Sequence, residues 1–187
     1  MASKWQQKSD AAGEINNVIR AVIVDVETTG ISVQRGGRVI EVGAVALVGN
    51  EIVTEFDTLI DTDAEISYGA YRVHGISQDM ICGMPQPEDV WGSFLEFVGD
   101  SLLVAHNAPF DSSFIRREMA LLGIGLPNPW VCTVRLARRH LPHLPNHKLD
   151  NVYRHLFGAL PASVKRHRAL DDARLAARVW VELGAKH

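Results

Sequence analysis

The sequence predicts a mixed α/β sheet in a single domain. Strand-like apolar runs crowd its first third, and strands alternate with segments of helical spacing in the remainder. Size agrees: 187 residues, 47% of them hydrophobic, are enough to bury one sizeable core.

Each element has its own signature. Residues 1–20 are polar and aperiodic and read as an extension before a domain spanning 21–187. Ala21-Val22-Ile23-Val24-Asp25-Val26 is a short β-rich apolar run, read as a buried strand. Arg35-Gly36-Gly37-Arg38 reads as a turn. Val39 to Val48 and Glu51 to Ile60 read as two more strands, joined by a hairpin at Gly49-Asn50. A polar loop follows, then Val73-His74-Gly75-Ile76-Ser77-Gln78-Asp79-Met80, where Ser77 is placed to cap a short helix. Val90, Trp91, Phe94, Leu95 and Val98 give Pro87 to Val98 helical spacing. Leu102-Leu103-Val104-Ala105 reads as a fourth strand ending at His106. Phe110, Phe114, Ile115, Met119, Leu121 and Leu122 mark a helix stopped by Gly123. Val131-Cys132-Thr133 is read as a short fifth strand, with helices following at about 133–141, 148–157 and 171–184. Pro142, Pro145 and Pro161 punctuate their connections.

Composition narrows the function classes. No apolar run approaches the roughly 20 residues needed to cross a bilayer. The opening Met1-Ala2-Ser3-Lys4-Trp5-Gln6-Gln7 lacks the apolar core of a secretory signal, so no membrane association and a cytoplasmic location are expected. Cys82 and Cys132 are too few for a disulfide framework and lack metal-site spacing. There is no Gly-x-Ser-x-Gly and no Gly-x-x-x-x-Gly-Lys-Ser/Thr, which removes the support for a serine hydrolase or a P-loop enzyme. His74, His140, His143, His147, His155 and His187 are scattered rather than spaced as zinc ligands. Net charge is −3, yet Arg135 to Arg178 holds ten Lys/Arg against three Asp/Glu, while the remainder holds nine against nineteen. An acidic part joined to a basic part suits a metal-loaded cleft beside a phosphate-contacting flank, and equally a solvated basic helix pair with no ligand.

Three separated segments carry chemistry. Asp25 and Glu27 lie two apart at the end of a strand, so period-two geometry turns both to one face. A lone Asp-x-Glu is more often a pair of surface acids. Here the apolar run before it and Thr28-Thr29-Gly30 after it favour a ligand site. Asp25 inside a buried strand would cost several kcal/mol without a partner, roughly the penalty of any unpaired buried charge, and a bound cation removes that cost. Asp111, in His106-Asn107-Ala108-Pro109-Phe110-Asp111, opens a helix just after a strand, where ligands gather in α/β sheets. An ordinary acid favoured by the helix dipole fits the same position. His167-Arg168-Ala169-Leu170-Asp171-Asp172 puts a histidine ahead of a helix whose first turn holds two acids. Either acid could be the ligand, and Asp171 could cap the helix. Gathered in one cleft, four carboxylates would bind two divalent cations, and a nearby histidine would make water a nucleophile.

Together these segments resemble the DEDDh 3′–5′ exonuclease superfamily, which contains the proofreading (epsilon) subunit of bacterial DNA polymerase III. The likeness runs from about Ala21 to Leu183. Asp25-Val26-Glu27-Thr28-Thr29-Gly30 is similar to the family's first motif and His106-Asn107-Ala108-Pro109-Phe110-Asp111 to its second. His167-x-Ala169-x-x-Asp172 is similar to the third in its histidine form, and Val73-His74-Gly75-Ile76 matches a stretch between the first two. The resemblance implies a ribonuclease-H-like fold, a five-stranded mixed central sheet flanked by helices. It implies that Asp25, Glu27 and Asp172, rather than Asp171, hold one Mg²⁺ or Mn²⁺. Asp25 and Asp111 would hold a second, and His167 would act as general base. It also implies that Thr28, Thr29, Val73, His74, Asn107 and Phe110 grip the terminal nucleotide with little base preference.

The function expected is a metal-dependent 3′–5′ exonuclease acting on the 3′ ends of nucleic acid, single-stranded DNA first, in proofreading or repair. An exoribonuclease is the enzymatic alternative, and a nonenzymatic binding module would be expected to show a broken acidic set. Proofreading subunits carry a further segment that binds the polymerase. The chain reaches His187 just after its last predicted helix, so the expectation is either a truncated chain or a freestanding enzyme, and a polymerase partner is in doubt.

Overall fold

Side-chain alternation along the first strand divides the molecule into two layers. In the computed structural model, residues 20–184 are described, and β1 runs Arg20–Thr28. Val22, Val24 and Val26 join one core with Trp91, Phe94 and Phe114. Ala21 and Ile23 join another with Tyr153, Leu175 and Val179. Asp25 and Glu27 continue the second series in register. Burying a side chain such as Phe94 or Phe114 stabilises the fold by about 1.5–3 kcal/mol, so each layer holds its helices firmly.

β2 (Val39–Val48) and β3 (Glu51–Leu59) form an antiparallel hairpin on β1. β4 (Leu102–Ala105) and β5 (Trp130–Cys132) add in parallel on the other side. The five strands lie in the order β3-β2-β1-β4-β5. Because β1 and β4 are parallel, their carboxyl ends share one edge of the sheet, the edge at which α/β proteins place their ligands. α1 (Tyr68–His74) and α2 (Gln78–Ile81) follow the hairpin. α3 (Pro87–Val98) and α4 (Ala108–Leu121) cover the first face of the sheet. α5 (Thr133–His140), α6 (Leu149–Phe157) and α7 (Ala169–Gly184) cover the second. No helix among the described residues is long and apolar enough to cross a membrane.

The mixed sheet is as expected, and differences lie at the ends and in one helix. The expected extension lies outside the described residues except for Arg20, which opens β1. Its guanidinium donates to the carbonyls of Phe97 and Val98 at 2.9 and 3.0 Å, which draws the strand one residue further back. The fifth strand sits one residue earlier than expected, and the last helix begins at Ala169 rather than 171. α1 occupies part of what reads as a polar loop. It buries only His74 and leaves Tyr68, Tyr71 and Val73 exposed, so it carries no hydrophobic period. Ser67 accepts from the Ala70 N–H at 3.2 Å at its start, and Gly75 ends it at φ 71°. Ser77 does precede α2, without a capping bond from its side chain.

Candidate active site

Three elements deliver acids to the shared carboxyl edge. β1 brings Asp25 and Glu27, the first turn of α4 brings Asp111, and the first turn of α7 brings Asp172. His167 stands in the loop before α7. All five line one cleft of about 640 Å³. Ligand atoms of Glu27, His167 and Asp172 lie within 4.8 Å of one another. Asp25 and Asp111 sit outside that tight trio as an interacting pair. Among the described residues, Asn107 at φ 82° and His167 at φ 61° are the non-glycine positions in left-handed backbone, and both border this cleft. Strained residues of this kind persist where surrounding contacts hold them, and they concentrate at functional sites.

Crowding shows in the protonation of the acids. Burial, then Asp111 and Glu27, push the Asp25 carboxyl well above the usual carboxylate range. Burial, then the charges of Glu41 and Asp111, raise Glu27 to about 8. Burial raises Asp111 to about 8 against the opposing pull of the backbone N–H groups of Asp111 and Val26. The site is short of positive charge. Hard oxygen donors so placed, with one imidazole, fit a hard divalent cation such as Mg²⁺ or Mn²⁺. His167 is exposed, and burial of part of its ring followed by the charge of Arg166 lowers its pKa, so the imidazole is neutral at physiological pH.

Asp171 and Asp172 separate cleanly. Asp172 is buried in the cleft. Asp171 turns away, accepting from the Lys165 N–H at 2.8 Å and from Arg174 at 3.1 Å. Two residues that the sequence did not single out organise this corner. Glu41 pairs with Glu27 across β1 and β2. It accepts from the Ala169 N–H at 3.0 Å and from Arg168 Nε at 2.8 Å, docking the start of α7 on the sheet. Arg166 bridges Asp150 of α6 and Asp172 of α7. Neither has a spacing signal; Glu41 is legible only once the pairing of β2 with β1 is known.

The expected nucleotide-gripping residues fall into two groups. Val73, Asn107 and Phe110 line the cleft. Thr28, Thr29 and His74 are buried behind it and engaged with the protein. Thr28 Oγ1 donates to the Gly30 carbonyl at 2.8 Å, and Thr29 Oγ1 accepts from the Arg38 N–H at 3.0 Å. His74 Nδ1 accepts from the Ile76 N–H at 3.0 Å, so its Nε2–H donates to the Thr28 carbonyl at 3.2 Å. His74 thus braces the turn after Glu27 from behind the cleft.

A family model for exonucleases, of the RNase T type, matches residues 22–180. The chain belongs to the exonuclease family. The DNA polymerase III subunit epsilon of Rickettsia felis is 36% identical over 173 residues, covering 88% of this chain and 74% of that protein. A PolC-type DNA polymerase III from Clostridium perfringens is 42% identical over 158 residues, 84% of this chain, but the chain spans only 11% of that protein's length. Exonuclease X, solved in complex with 5′ overhanging duplex DNA, superposes with a TM-score of 0.74 at 28% identity, over 89% of this chain and 92% of that one. The nuclease domain of 3′hExo, a DEDDh family member bound to rAMP, gives 0.76 at 19% identity, over 91% and 94%, a likeness of fold. This exonuclease thus has the ribonuclease-H-like fold of the DEDDh enzymes, a metal-dependent family.

One wall of the exonuclease cleft comes from the basic stretch of the sequence, although no motif marks its residues. It is built from Val134 and Arg138 of α5 and from Asn146, His147 and Lys148 before α6. His106 holds it in place. Burial pushes its pKa down to about 4, so one ring nitrogen is a donor and the other an acceptor. Nε2–H donates to the His147 carbonyl at 2.9 Å, and Nδ1 accepts from the Thr133 hydroxyl at 2.8 Å.

Proposed function

We propose that this exonuclease removes nucleotides from the 3′ ends of DNA, one nucleoside 5′-monophosphate at a time, in proofreading or repair. The observation that carries this reading is the convergence of Asp25, Glu27, Asp111 and Asp172 with His167 in one cleft. Asp25, Glu27 and Asp172 would hold one Mg²⁺ or Mn²⁺, and Asp25 with Asp111 a second. When bound, such ions supply the positive charge that draws in the scissile phosphate and makes the attacking water acidic.

The chain's own residues do the rest. His167, neutral and at the open side of the acids, takes the proton from the attacking water. Val73, Asn107 and Phe110 take the terminal sugar and base. Thr28, Thr29 and His74 hold the backbone that shapes this pocket. Stacking on Phe110 tolerates every base, so little sequence preference is expected. The likeness to DNA polymerase III proteins supports DNA rather than RNA as the substrate, and a polymerase as a partner.

The test follows matched 5′-labelled single-stranded DNA and RNA with Mg²⁺, Mn²⁺ or EDTA. A metal-dependent ladder shortening from the 3′ end of DNA, with RNA largely spared, is expected. The reverse preference would make the protein an exoribonuclease. Asp25→Ala and His167→Ala should each lose several orders of magnitude in rate, and near-normal activity in either folded variant would remove the role given to that residue.

A further inference from the structure

We infer that Arg138 and Lys148 form a phosphate track that guides the single strand upstream of its terminal nucleotide into the acidic cleft. The inference rests on the exonuclease reading above and adds the path of the substrate.

Position is the first argument. Arg138 and Lys148 are exposed and line the same cleft as the five acid and histidine residues, from the α5–α6 side. Arg135 and Arg139 carry the same charge onto the exposed face of α5. Charge points the same way. Arg38, Arg154, Arg166, Arg168 and Arg174 are each paired with a carboxylate of this chain. Among the described residues Arg138 and Lys148 have no such partner, so their charge is available to something outside the chain. A strand entering this cleft brings phosphates toward a cluster of carboxylates, and cations at the mouth offset that repulsion.

Rigidity is the third argument. Asn146 Oδ1 accepts from the Lys148 N–H at 3.1 Å and from Asn151 Nδ2 at 2.7 Å, fixing Lys148 at the start of α6. His147 Nε2–H donates to the Leu141 carbonyl at 3.0 Å, tying the same loop to the end of α5. His106 then links the loop to the end of β4. Both cations therefore stand on a wall whose distance from Asp111 is set by the sheet. Lysine and arginine contacts of this kind read the backbone and not the bases, which suits a strand of any sequence.

The experiment compares wild type with the Arg138→Ala/Lys148→Ala double variant. Binding of 5′-fluorescent single-stranded DNA is measured by anisotropy across a salt series, with Ca²⁺ replacing Mg²⁺. Loss of two phosphate contacts should weaken affinity about tenfold or more and lower the salt slope by about 1.4, at roughly 0.7 per contact on a single strand. Turnover in Mg²⁺ is then compared on the p-nitrophenyl ester of thymidine 5′-monophosphate and on oligonucleotides of increasing length. Wild type should gain in kcat/KM with length, and the variant should lose that gain. Unchanged salt slope and length dependence would overturn the track. An equal loss on the mononucleotide ester and the oligonucleotides would also overturn it, by placing the two side chains at the reacting centre. A wild type that turns over neither substrate would sink the exonuclease reading, while its salt slope would still decide whether the two cations hold a strand.

Discussion

The backbone of Leu170 in α7 fills the space that a side chain on Gly43 of β2 would need: a Cβ on Gly43 would lie 2.1 Å from the Leu170 nitrogen. Gly43 is also the cross-strand partner of Asp25. The missing side chain thus lets the first turn of α7 rest on the sheet beside Asp25, which brings Asp172 to the acids of β1. Gly43→Ala must push the helix away by an ångström or more. Overpacking of this kind costs typically ~1–3 kcal/mol, and misplacement of a reacting group by an ångström costs about a hundredfold in rate. The variant should lose more activity than its urea midpoint suggests. A variant that loses stability while a folded sample keeps wild-type kcat would show that Asp172 need not sit so close.

Neighbouring acids in one helical turn should behave in opposite ways. Asp172→Asn should lower kcat by about a thousandfold or more, the scale on which removing a strong charge-stabilising group acts. Asp171 bonds the Lys165 N–H and Arg174 outside the cleft. Its replacement by Asn should leave kcat within a few-fold and cost about 1 kcal/mol of stability, the usual net size of an intramolecular hydrogen bond. Steady-state kinetics, Mn²⁺ titration and thermal melts distinguish the two, and a folded, inactive Asp171→Asn with weakened Mn²⁺ binding would reverse the assignment.

Stability of the metal-free protein should fall as pH rises from 6.5 to 8. Glu27 and Asp111 titrate near 8 when folded, well above the ordinary carboxylate range. Across that interval the folded state binds more protons than the unfolded state, so unfolding becomes easier with pH. Below about 6.5 the lowered histidines His74, His106 and His167 act in the other direction, because the unfolded chain then takes up their protons and the folded one does not. The clean window is therefore 6.5 to 8. Melting in EDTA should show the decline. Added Mn²⁺ should raise Tm more at pH 8 than at 6.5, because protons compete with the metal for the same oxygens. A flat profile in EDTA, or a Glu27→Gln/Asp111→Asn variant as steep as wild type, would contradict the crowding of these acids.

Local rules made most of the sheet legible. The β-rich apolar run Ala21 to Val26 and the Gly49-Asn50 turn are short-range signals, and both are present as expected. Asp25 and Glu27 were readable as a pair because two residues of one strand must share a face. That α7 meets the sheet at Gly43 of β2, beside Asp25 of β1, and that Glu41 caps it, depends on the pairing of β2 with β1, which no local pattern encodes. α1 was hidden for another reason: its apolar side chains face outward, so hydrophobic spacing could not announce it. The same holds for the wall of Arg138 and Lys148. Its basic excess was visible in the sequence, but its orientation toward the acids came only with the tertiary packing of α5 and α6.

His106 supports that wall, and its removal tests whether the wall matters. Half-buried and held near a pKa of about 4, it is neutral throughout the working range and cannot exchange protons with substrate there. Both its ring nitrogens are already engaged, with Thr133 and with the His147 carbonyl. His106→Ala leaves those two partners short of a bond, a loss of about 1–3 kcal/mol each where water cannot replace the ring. The loop carrying Lys148 should then loosen. The expected result is a raised KM for oligonucleotides and a lowered Tm, with the shape of the pH–rate profile unchanged. A lost or shifted acid limb in this variant would instead identify His106, and not only His167, as a group whose protonation controls the reaction.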